Sequence, residues 1–399
     1  MSIAGTGLVC SLGQNTREVS QQILAGNSGL QKNVFHTHGP ENAQTEWAAP
    51  VVFDPSASAE SKLAQISMQA CEQAISACAP IWSAIPSERR GLCFGISKPD
   101  FYPLESNPVA AECLPNLFPQ QILSPLIQRF EISGPSCVPV AACATGAMAI
   151  LQAQLMLQSH ACDAVLVGSA DCSCQPMVFG SYHRLGVLQS AAIESPHQSG
   201  PFSENRNGFS LGEGAGAMVL TRDSFECNTP SDHSIRIRSL AVGSDPTGLT
   251  VVDATGKALE QVVRQALEQA ELRPSQIVAI NVHGTGTQLN DAAEANAIAR
   301  VFGPPGQQPP SFSFKPAIGH LLGATSSVEL VLCHELLLQS KARDSLLLPP
   351  RLSEDSISAD CPIRAVPNNS SSVSNGPVLK LALGFGGHLC ALVLDEQCA

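Results

Sequence analysis

The sequence predicts an α/β protein, because strand-like and helix-like segments alternate along the whole 399-residue chain. Several strand-like runs lack polar alternation, which is typical of strands that are buried on both faces. The predicted strands are 2–9, 91–94, 163–167, 215–220, 235–242, 277–282, 378–383 and 389–394. We therefore expect sheets that are covered by helices on both sides.

Helices are predicted between these strands, where apolar residues recur at helical spacing. They are 17–25, 61–77, 144–158, 256–270, 291–301 and 322–339. Three polar or Pro/Gly-rich segments, 36–46, 303–310 and 367–376, are predicted to be surface loops. A softer division near residue 245 predicts two halves of one compact body, 1–245 and 246–399.

Composition restricts the classes of function. The chain has 22 Lys and Arg against 34 Asp and Glu, and this net charge of −12 argues against nucleic acid or anionic membrane as a partner. The N-terminus does not resemble a secretory signal, and no run approaches the ~20 apolar residues of a membrane helix. The fifteen cysteines show no CxxC pair and no zinc-like spacing, so we expect no metal site and a cytoplasmic protein.

One cysteine stands in a sequence context that favours chemistry. Residues 140–146, VAACATG, form a turn of small residues before a helix, with Cys143 at the helix N-terminus. Free N–H groups and the helix dipole there predict a pKa for the thiol below its usual value of about 8.5. Backbone N–H groups of the same turn can face an oxyanion. Taken alone, Cys143 could also be one more small core residue.

A histidine follows the predicted strand 277–282, in the segment NVHGTGT. His283 ends this strand, and the loop behind it carries Thr285 and Thr287. Their hydroxyls can hydrogen-bond an extended ligand that contains amides, in a pocket toward which His283 points. The alternative is a capped turn that contains a structural histidine.

A second histidine, His320, lies in the apolar segment KPAIGHLLG, which begins at Lys315. Glu329 follows in the next apolar stretch, and a buried lysine and glutamate are expected to pair. This pair would place positive charge beside His320 and keep its imidazole neutral at pH 7. A surface lysine and a satisfied core histidine are the alternative.

The segment 384–387, GFGG, joins the last two predicted strands. Glycines there permit positive φ and close backbone approach, so Gly386 and Gly387 can border a ligand. The Phe385 N–H could be a second oxyanion donor while its ring closes a pocket. A β-bulge or tight turn would give the same pattern.

Together these four motifs resemble the β-ketoacyl-acyl-carrier-protein synthases of the Cys-His-His type, in the thiolase-like superfamily. The intervals of 140 residues from Cys143 to His283 and of 37 from His283 to His320 agree with that family. The resemblance covers essentially the whole chain. It implies a thiolase-like fold, a five-layered αβαβα sandwich of two similar halves, with the cysteine in the first and both histidines and the GFGG loop in the second.

The resemblance also implies an activity, the decarboxylative condensation of an acyl group on Cys143 with malonyl-acyl carrier protein to give a 3-ketoacyl product. No cofactor is implied beyond the phosphopantetheine of the carrier. The implied catalytic residues are Cys143, His283, His320, Lys315 and Glu329, the oxyanion and gating residue is Phe385, and the substrate-binding residues are Thr285, Thr287, Gly386 and Gly387. The alternative is an accessory or chain-length-determining subunit of a heterodimeric ketosynthase, although such subunits typically lack the cysteine.

Four residues depart from the usual pattern of that family and indicate a divergent subfamily: Ser203, Asn207, His388 and Leu389. None removes a catalytic group, and fatty acid, polyketide and aryl-polyene-type assembly all stay open. The resemblance implies a homodimer, or a heterodimer with a related ketosynthase subunit, and an acyl carrier protein as partner. Candidates for the basic face that binds the carrier are Arg89, Arg90, Arg129 and Arg184.

Overall fold

The computed structural model describes residues 1–36, 43–52, 61–99, 101, 118–190, 193–222 and 235–396. The strands in these ranges are β1 Ser2–Cys10, β2 Gln31–His36, β3 Ala43–Ala49, β4 Arg90–Ile96, β5 Ser136–Cys137, β6 Ala164–Cys172, β7 Leu211–Thr221, β8 Ile235–Ser244, β9 Ala279–Asn281, β10 Ser311–Phe312, β11 Leu346–Leu348, β12 Ser371–Val373, β13 Val378–Gly384 and β14 His388–Glu396. The helices are α1 Thr16–Leu24, α2 Lys62–Ala77, α3 Ala79–Ala84, α4 Leu123–Phe130, α5 Thr145–Gln158, α6 Pro176–Arg184, α7 Lys257–Gln269, α8 Gln288–Phe302, α9 Lys315–Ile318 and α10 Thr325–Lys341.

Ten of these strands form two sets that repeat one pattern. The spatial order is β5-β4-β6-β7-β1 in the first set and β10-β9-β13-β14-β8 in the second. In each set the first three strands are parallel and the last two pair antiparallel. β1 and β8 join the sets through Ser2 and Arg236. Along the chain, β8 is the first strand of the second set. The division into halves near residue 245 stays a prediction.

The strands of both sets are covered on both faces. Alternate residues of a strand point to opposite sides of the sheet, and here both sides face a hydrophobic core. Val165 of β6 faces a central hydrophobic core and the next residue, Leu166, faces an outer one. Leu392 of β14 faces the same central core, whereas Val393 faces a second outer core. Helices α5 and α10 lie in the central core, α2 in the first outer core, and α7 and α8 in the second. The predicted five-layered sandwich is confirmed.

The loop predicted at 36–46 is wrong for the residues that the structure describes. β2 and β3 form an antiparallel hairpin, and β3 also pairs with β7, while residues 37–42 lie outside the described ranges. The hairpin is polar because one face is exposed, where the Lys32 ammonium lies 5.2 Å from the centroid of Trp47. On the other face Phe35 is buried and stacks on Phe179 with centroids 3.9 Å apart.

The structure confirms one of the other two predicted loops and contradicts the other. Residues 303–310 contain neither helix nor strand, as predicted. Residues 367–376 contain β12, which pairs with β11 in a small separate sheet. None of the described helices has the length and apolar character needed to cross a membrane.

The two central helices begin in the same way and next to each other. A single 3-10 turn precedes each of them, Ala142–Ala144 before α5 and Leu322–Ala324 before α10. Ala142 and Leu322 both adopt positive φ, 47° and 42°. Gly146 of α5 packs so closely on α10 that a Cβ there would lie 2.6 Å from Ser327 Oγ. The fold therefore brings the VAACATG turn of the first half against the segment after His320 in the second.

Candidate active site

Cys143 lies in the turn that precedes α5 and is buried. Burial raises the pKa of its thiol to about 11, although the charges of Lys315 and Lys98 lower it. The sequence-based prediction of a lowered pKa is therefore wrong. Burial destabilises the thiolate by more free energy than the helix terminus and the two ammonium groups contribute to stabilising it.

The GFGG segment forms the tight connection between β13 and β14, and it reaches Cys143. The Phe385 N–H donates a hydrogen bond to the cysteine sulfur. Gly387 has a φ of 79°, and a Cβ there would lie 2.1 Å from the Asp245 carbonyl oxygen. Gly386 points its N–H to the Leu249 carbonyl, 2.7 Å away, and does not line the pocket described below.

His283 follows β9 and is held through its backbone. The N–H groups of His283 and Gly284 each donate to the carboxylate of Glu294 on α8, at 2.6 Å. The Lys315 ammonium donates to the His283 carbonyl. The side-chain Nδ1 is buried and has no hydrogen-bond partner among the described residues. A buried polar atom without a partner is what a ligand-binding imidazole shows before its ligand arrives.

His320 is held through both backbone and ring. Its N–H donates to the Ser210 carbonyl at 2.8 Å, and its Nδ1 lies 2.9 Å from Thr325 Oγ1. The ring stands edge-on to Phe209, with centroids 4.7 Å apart, and nearly perpendicular to His283, with centroids 5.3 Å apart. Because Thr325 occupies Nδ1, the other ring nitrogen is available to the pocket.

Both imidazoles are neutral at pH 7. Burial lowers the pKa of His283 and of His320 well below 6.5, and the Lys315 charge lowers both further. The predicted neutrality of His320 is thus supported, but burial is a larger cause than the lysine that the sequence pointed to.

The predicted ion pair between Lys315 and Glu329 is present, with Nζ and Oε1 2.9 Å apart and both side chains buried. A second lysine was missed: Lys380 is fully buried on β13, and its ammonium pairs with Glu329 Oε2. The signal was available in the sequence, since Lys380 is the one charged residue in the apolar strand VLKLALG.

A further charged cluster near Cys143 was also missed. Asp171, near the end of β6, is buried and accepts hydrogen bonds from Lys98 Nζ at 2.6 and 2.7 Å and from Ser97 Oγ at 2.8 Å. The Gly323 N–H from the turn before α10 donates to the same carboxylate at 3.1 Å. Asp171 therefore ties the loops of the first half to the His320 segment of the second. Its signal was a carboxylate at the end of an apolar strand.

One cavity of about 280 Å³ joins the predicted residues. Seven of the predicted site residues line it: Cys143, His283, His320, Thr285, Thr287, Phe385 and Gly387. Lys315 and Glu329 lie behind the histidines rather than in the cavity wall. Thr285 and Thr287 have their hydroxyl oxygens 2.9 Å apart. Two of the four departures, Asn207 and Leu389, line the cavity, whereas Ser203 and His388 do not.

Sequence profiles of two domains match most of the chain. "Beta-ketoacyl synthase, N-terminal domain" matches residues 1–226, and "Beta-ketoacyl synthase, C-terminal domain" matches residues 235–346. The chain belongs to the β-ketoacyl synthase family. It is therefore placed among the acyltransferases of the ketosynthase type.

Two named relatives have low sequence identity to the chain. The chain is 26% identical to 3-oxoacyl-[acyl-carrier-protein] synthase 2 of Coxiella burnetii, over 99% of this chain and 98% of that one. It is 28% identical to the tetracenomycin polyketide synthase ketoacyl synthase alpha subunit of Streptomyces glaucescens, over 73% and 67%. These identities agree with the divergent subfamily that the four departures indicated.

Solved ketosynthase structures share the fold over nearly the whole chain. One is a type II polyketide acyl-carrier protein in complex with its ketosynthase, with a TM-score of 0.87 at 23% identity, over 99% of this chain and 98% of that one. Another is a ketosynthase with its chain length factor from Xenorhabdus doucetiae, with a TM-score of 0.84 at 23% identity and the same coverage.

Proposed function

We propose that this protein condenses an acyl group on Cys143 with malonyl-acyl carrier protein, with loss of CO₂, to give 3-ketoacyl-acyl carrier protein. The observation that carries the proposal is a single cavity in which a buried thiol faces two neutral imidazoles. An enzyme that activates its cysteine with one histidine uses that histidine as a base. Two neutral imidazoles beside the thiol can instead both donate hydrogen bonds to the carbonyl of a second thioester.

Acyl transfer comes first. The Cys143 sulfur adds to the carbonyl carbon of an acyl thioester, and the N–H groups of Cys143 and Phe385 bind the oxyanion. The bond to the carrier sulfur breaks, and the carrier thiol leaves with the proton that Cys143 loses. The Phe385 N–H already donates to the Cys143 sulfur, so the donor is in place before substrate arrives.

Condensation follows on the acylated enzyme. His283 and His320 donate hydrogen bonds to the thioester carbonyl of the malonyl group, whose carbon–carbon bond to the carboxylate breaks as CO₂ leaves. The resulting enolate carbon attacks the acyl carbonyl on Cys143, and the carbon–sulfur bond breaks to return the thiolate, which takes a proton from water to restore the resting thiol. For His320 this requires the proton on the ring nitrogen remote from Thr325, with Nδ1 accepting the Thr325 hydroxyl.

The test is a reaction with acyl carrier thioester and malonyl carrier, followed by mass spectrometry of the carrier-bound product. Wild type should form 3-ketoacyl product, and Cys143→Ala should lower the rate by about 10³-fold or more. Cys71→Ala is the matched control, since Cys71 is a buried cysteine of an outer core. Absence of product from wild type, or product that survives in Cys143→Ala, contradicts the proposal.

We propose an acyl carrier protein as the partner, docked at Arg184. Of the four arginines singled out in the sequence, Arg89 pairs with Asp163 and Arg129 pairs with Glu72, both at 2.9 Å. Arg90 is buried and donates to the Ile85 carbonyl at 2.8 Å. Arg184 is exposed at the end of α6. It lies two residues before Gly186, which lines the cavity.

Charge reversal tests this docking site, because an acidic carrier is steered by exposed basic groups. Arg184→Glu should raise KM for a carrier-bound substrate about fivefold or more and leave KM for a small thioester unchanged. Arg129→Glu is the control of equal charge change. An equal effect of both variants, or an effect on the small thioester, rules Arg184 out.

The second candidate is a role as accessory subunit of a heterodimeric ketosynthase. It is favoured by two solved structures of similar fold, each a ketosynthase with a chain length factor. Cys143 and both histidines in one cavity favour the catalytic role within any such dimer. We propose a cytoplasmic homodimer, in keeping with the free thiols of the described cysteines. Native mass spectrometry, alone and with candidate partner subunits, distinguishes a homodimer from an obligate heterodimer.

A further inference from the structure

Lys380 is a buried lysine whose position the proposed mechanism does not use. It lies on β13 and has no exposed surface. Its ammonium forms an ion pair with Glu329 Oε2 and donates a hydrogen bond to the Leu381 carbonyl at 2.5 Å. Glu329 Oε2 accepts no hydrogen bond from a described residue, so the ion pair with Lys380 is what compensates its burial.

The contacts of Lys380 continue to the active site through one carboxylate. Glu329 Oε1, the other oxygen, lies 2.9 Å from Lys315 Nζ. The Lys315 ammonium in turn donates to the carbonyl of His283. The flexible side chain of Lys315 keeps one position only when its hydrogen-bond partners are fixed. These partners are the Glu329 carboxylate and the His283 carbonyl.

The cluster places two ammonium groups against one carboxylate, all three buried. The Lys380 charge acts on His283 and His320 in the cavity and on Cys333 and Cys390 in the central core. Lys315 acts on both histidines, Lys98 acts on His320, and the Glu294 carboxylate binds the His283 backbone. Glu329 and Asp171 pair with these three ammonium groups, so loss of Lys380 alone makes the charge around the two imidazoles more negative.

We propose that Lys380 is a positioning residue of the condensation site: it holds Glu329, and through it Lys315, against the His283 carbonyl, and it adds positive charge that disfavours protonation of both imidazoles. Its catalytic consequence rests on the proposed function. Its structural part rests on the chain of contacts from Lys380 through Glu329 and Lys315 to the His283 carbonyl.

Lys380→Met is the variant that tests the proposal. Without the positive charge, protonation of either imidazole becomes less costly, so the acid limb of the pH–rate profile moves to higher pH. We expect the loss of condensation relative to wild type to grow as the pH falls and to be smallest near pH 8. Lys380→Arg keeps the charge and the ion pair and should restore the wild-type profile.

Leu379→Ala is the matched control for a merely structural loss. Leu379 is the neighbouring buried residue of β13 and faces the second outer core. It should lower stability without moving the pH profile. The proposal is overturned if the acid limb of the pH–rate profile lies at the same pH in Lys380→Met and Leu379→Ala. It is also overturned if Lys380→Arg shows the same shifted profile as Lys380→Met.

Histidine titration by NMR gives a readout that does not depend on turnover. In wild type neither His283 nor His320 should titrate near the ordinary histidine pKa of 6.5, and in Lys380→Met the pKa of at least one should be higher than in wild type. Titration of either wild-type histidine between pH 6 and 7 overturns the proposal, whether or not Lys380→Met folds. Lack of condensation by wild type would instead contradict the proposed function and leave this titration unaffected.

Discussion

At the residue scale, the central feature is a nucleophile that is protonated in the resting protein. The pKa of Cys143 is raised to about 11 by burial, so the thiolate is scarce at pH 7. The Phe385 N–H and the charges of Lys315 and Lys98 offset part of this cost by stabilising the thiolate. We therefore expect this thiol to react slowly with small electrophiles near neutral pH.

This leads to a prediction for alkylation of Cys143 by iodoacetamide. The thiolate fraction of a group with a pKa near 11 rises about tenfold per pH unit below that value. The rate of Cys143 labelling should therefore rise steadily from pH 6 to pH 9, as followed by intact mass and peptide mapping. For a thiol with the usual pKa of about 8.5, the rate would rise only about threefold between pH 8 and 9 and would level off above pH 9.

Cys143→Ser identifies which label belongs to the active site, because other thiols also react. A labelling rate that reaches a plateau below pH 8 would contradict the prediction and favour the helix terminus over burial as the dominant influence on this thiol.

At the scale of elements, the contact between α5 and α10 decides the position of the nucleophile. Gly146 follows Cys143 by three residues, and a Cβ at Gly146 would lie 2.6 Å from Ser327 Oγ and 2.7 Å from the Ser327 N. The backbone nitrogen cannot move without displacing α10, which the central core surrounds. Close approach, rather than a positive φ, is why glycine is needed there.

Gly146→Ala should therefore lower the free energy of unfolding by about 1–3 kcal/mol, as overpacking of a core does, despite the better helix propensity of alanine. It should also lower the condensation rate, because the turn that holds Cys143 is displaced. Urea unfolding and the condensation assay measure the two effects.

Gly180→Ala is the matched control, since Gly180 lies inside α6 and a Cβ there meets nothing within 4 Å. It should raise stability by roughly 0.5–1 kcal/mol. If Gly146→Ala is as stable as Gly180→Ala, the two central helices are not packed as closely as described.

At the scale of the whole molecule, the two strand sets share one core and one active site. The central core takes side chains from β6 and β7 of the first set, and from β13 and β14 of the second, with α5 and α10 between them. Neither set can bury its inner face without the other. The cavity likewise combines Cys143 from one set with His283 and His320 from the other.

We therefore predict that both sets unfold together. The two tryptophans of the chain, Trp47 and Trp82, report on the first set by fluorescence. Alkylation of Cys333 and Cys390, both buried in the central core, reports on the second. The two urea midpoints should coincide, because loss of the shared core exposes both sets at once.

Midpoints that separate would show that each half unfolds alone, contrary to the single central core. Cys71, in the outer core covered by α2, is the control thiol that should become accessible with the tryptophan signal in either case.

The sequence by itself determined the α/β class, most strand and helix positions and the residues that meet in the cavity. These features depend on local signals: apolar runs, helical spacing, and turns of small residues that place Cys143, His283 and His320 at the ends of elements. The hairpin β2-β3 was missed because one exposed face makes its strands as polar as a loop.

Only the tertiary structure decided the electrostatics of the site. The raised pKa of Cys143, the ion pair of Lys380 with Glu329, the cluster at Asp171 and the exposure of Arg184 all depend on groups that are far apart in sequence. Solvation and pairing of a charge are set by everything that surrounds it in space, so no local pattern carries them.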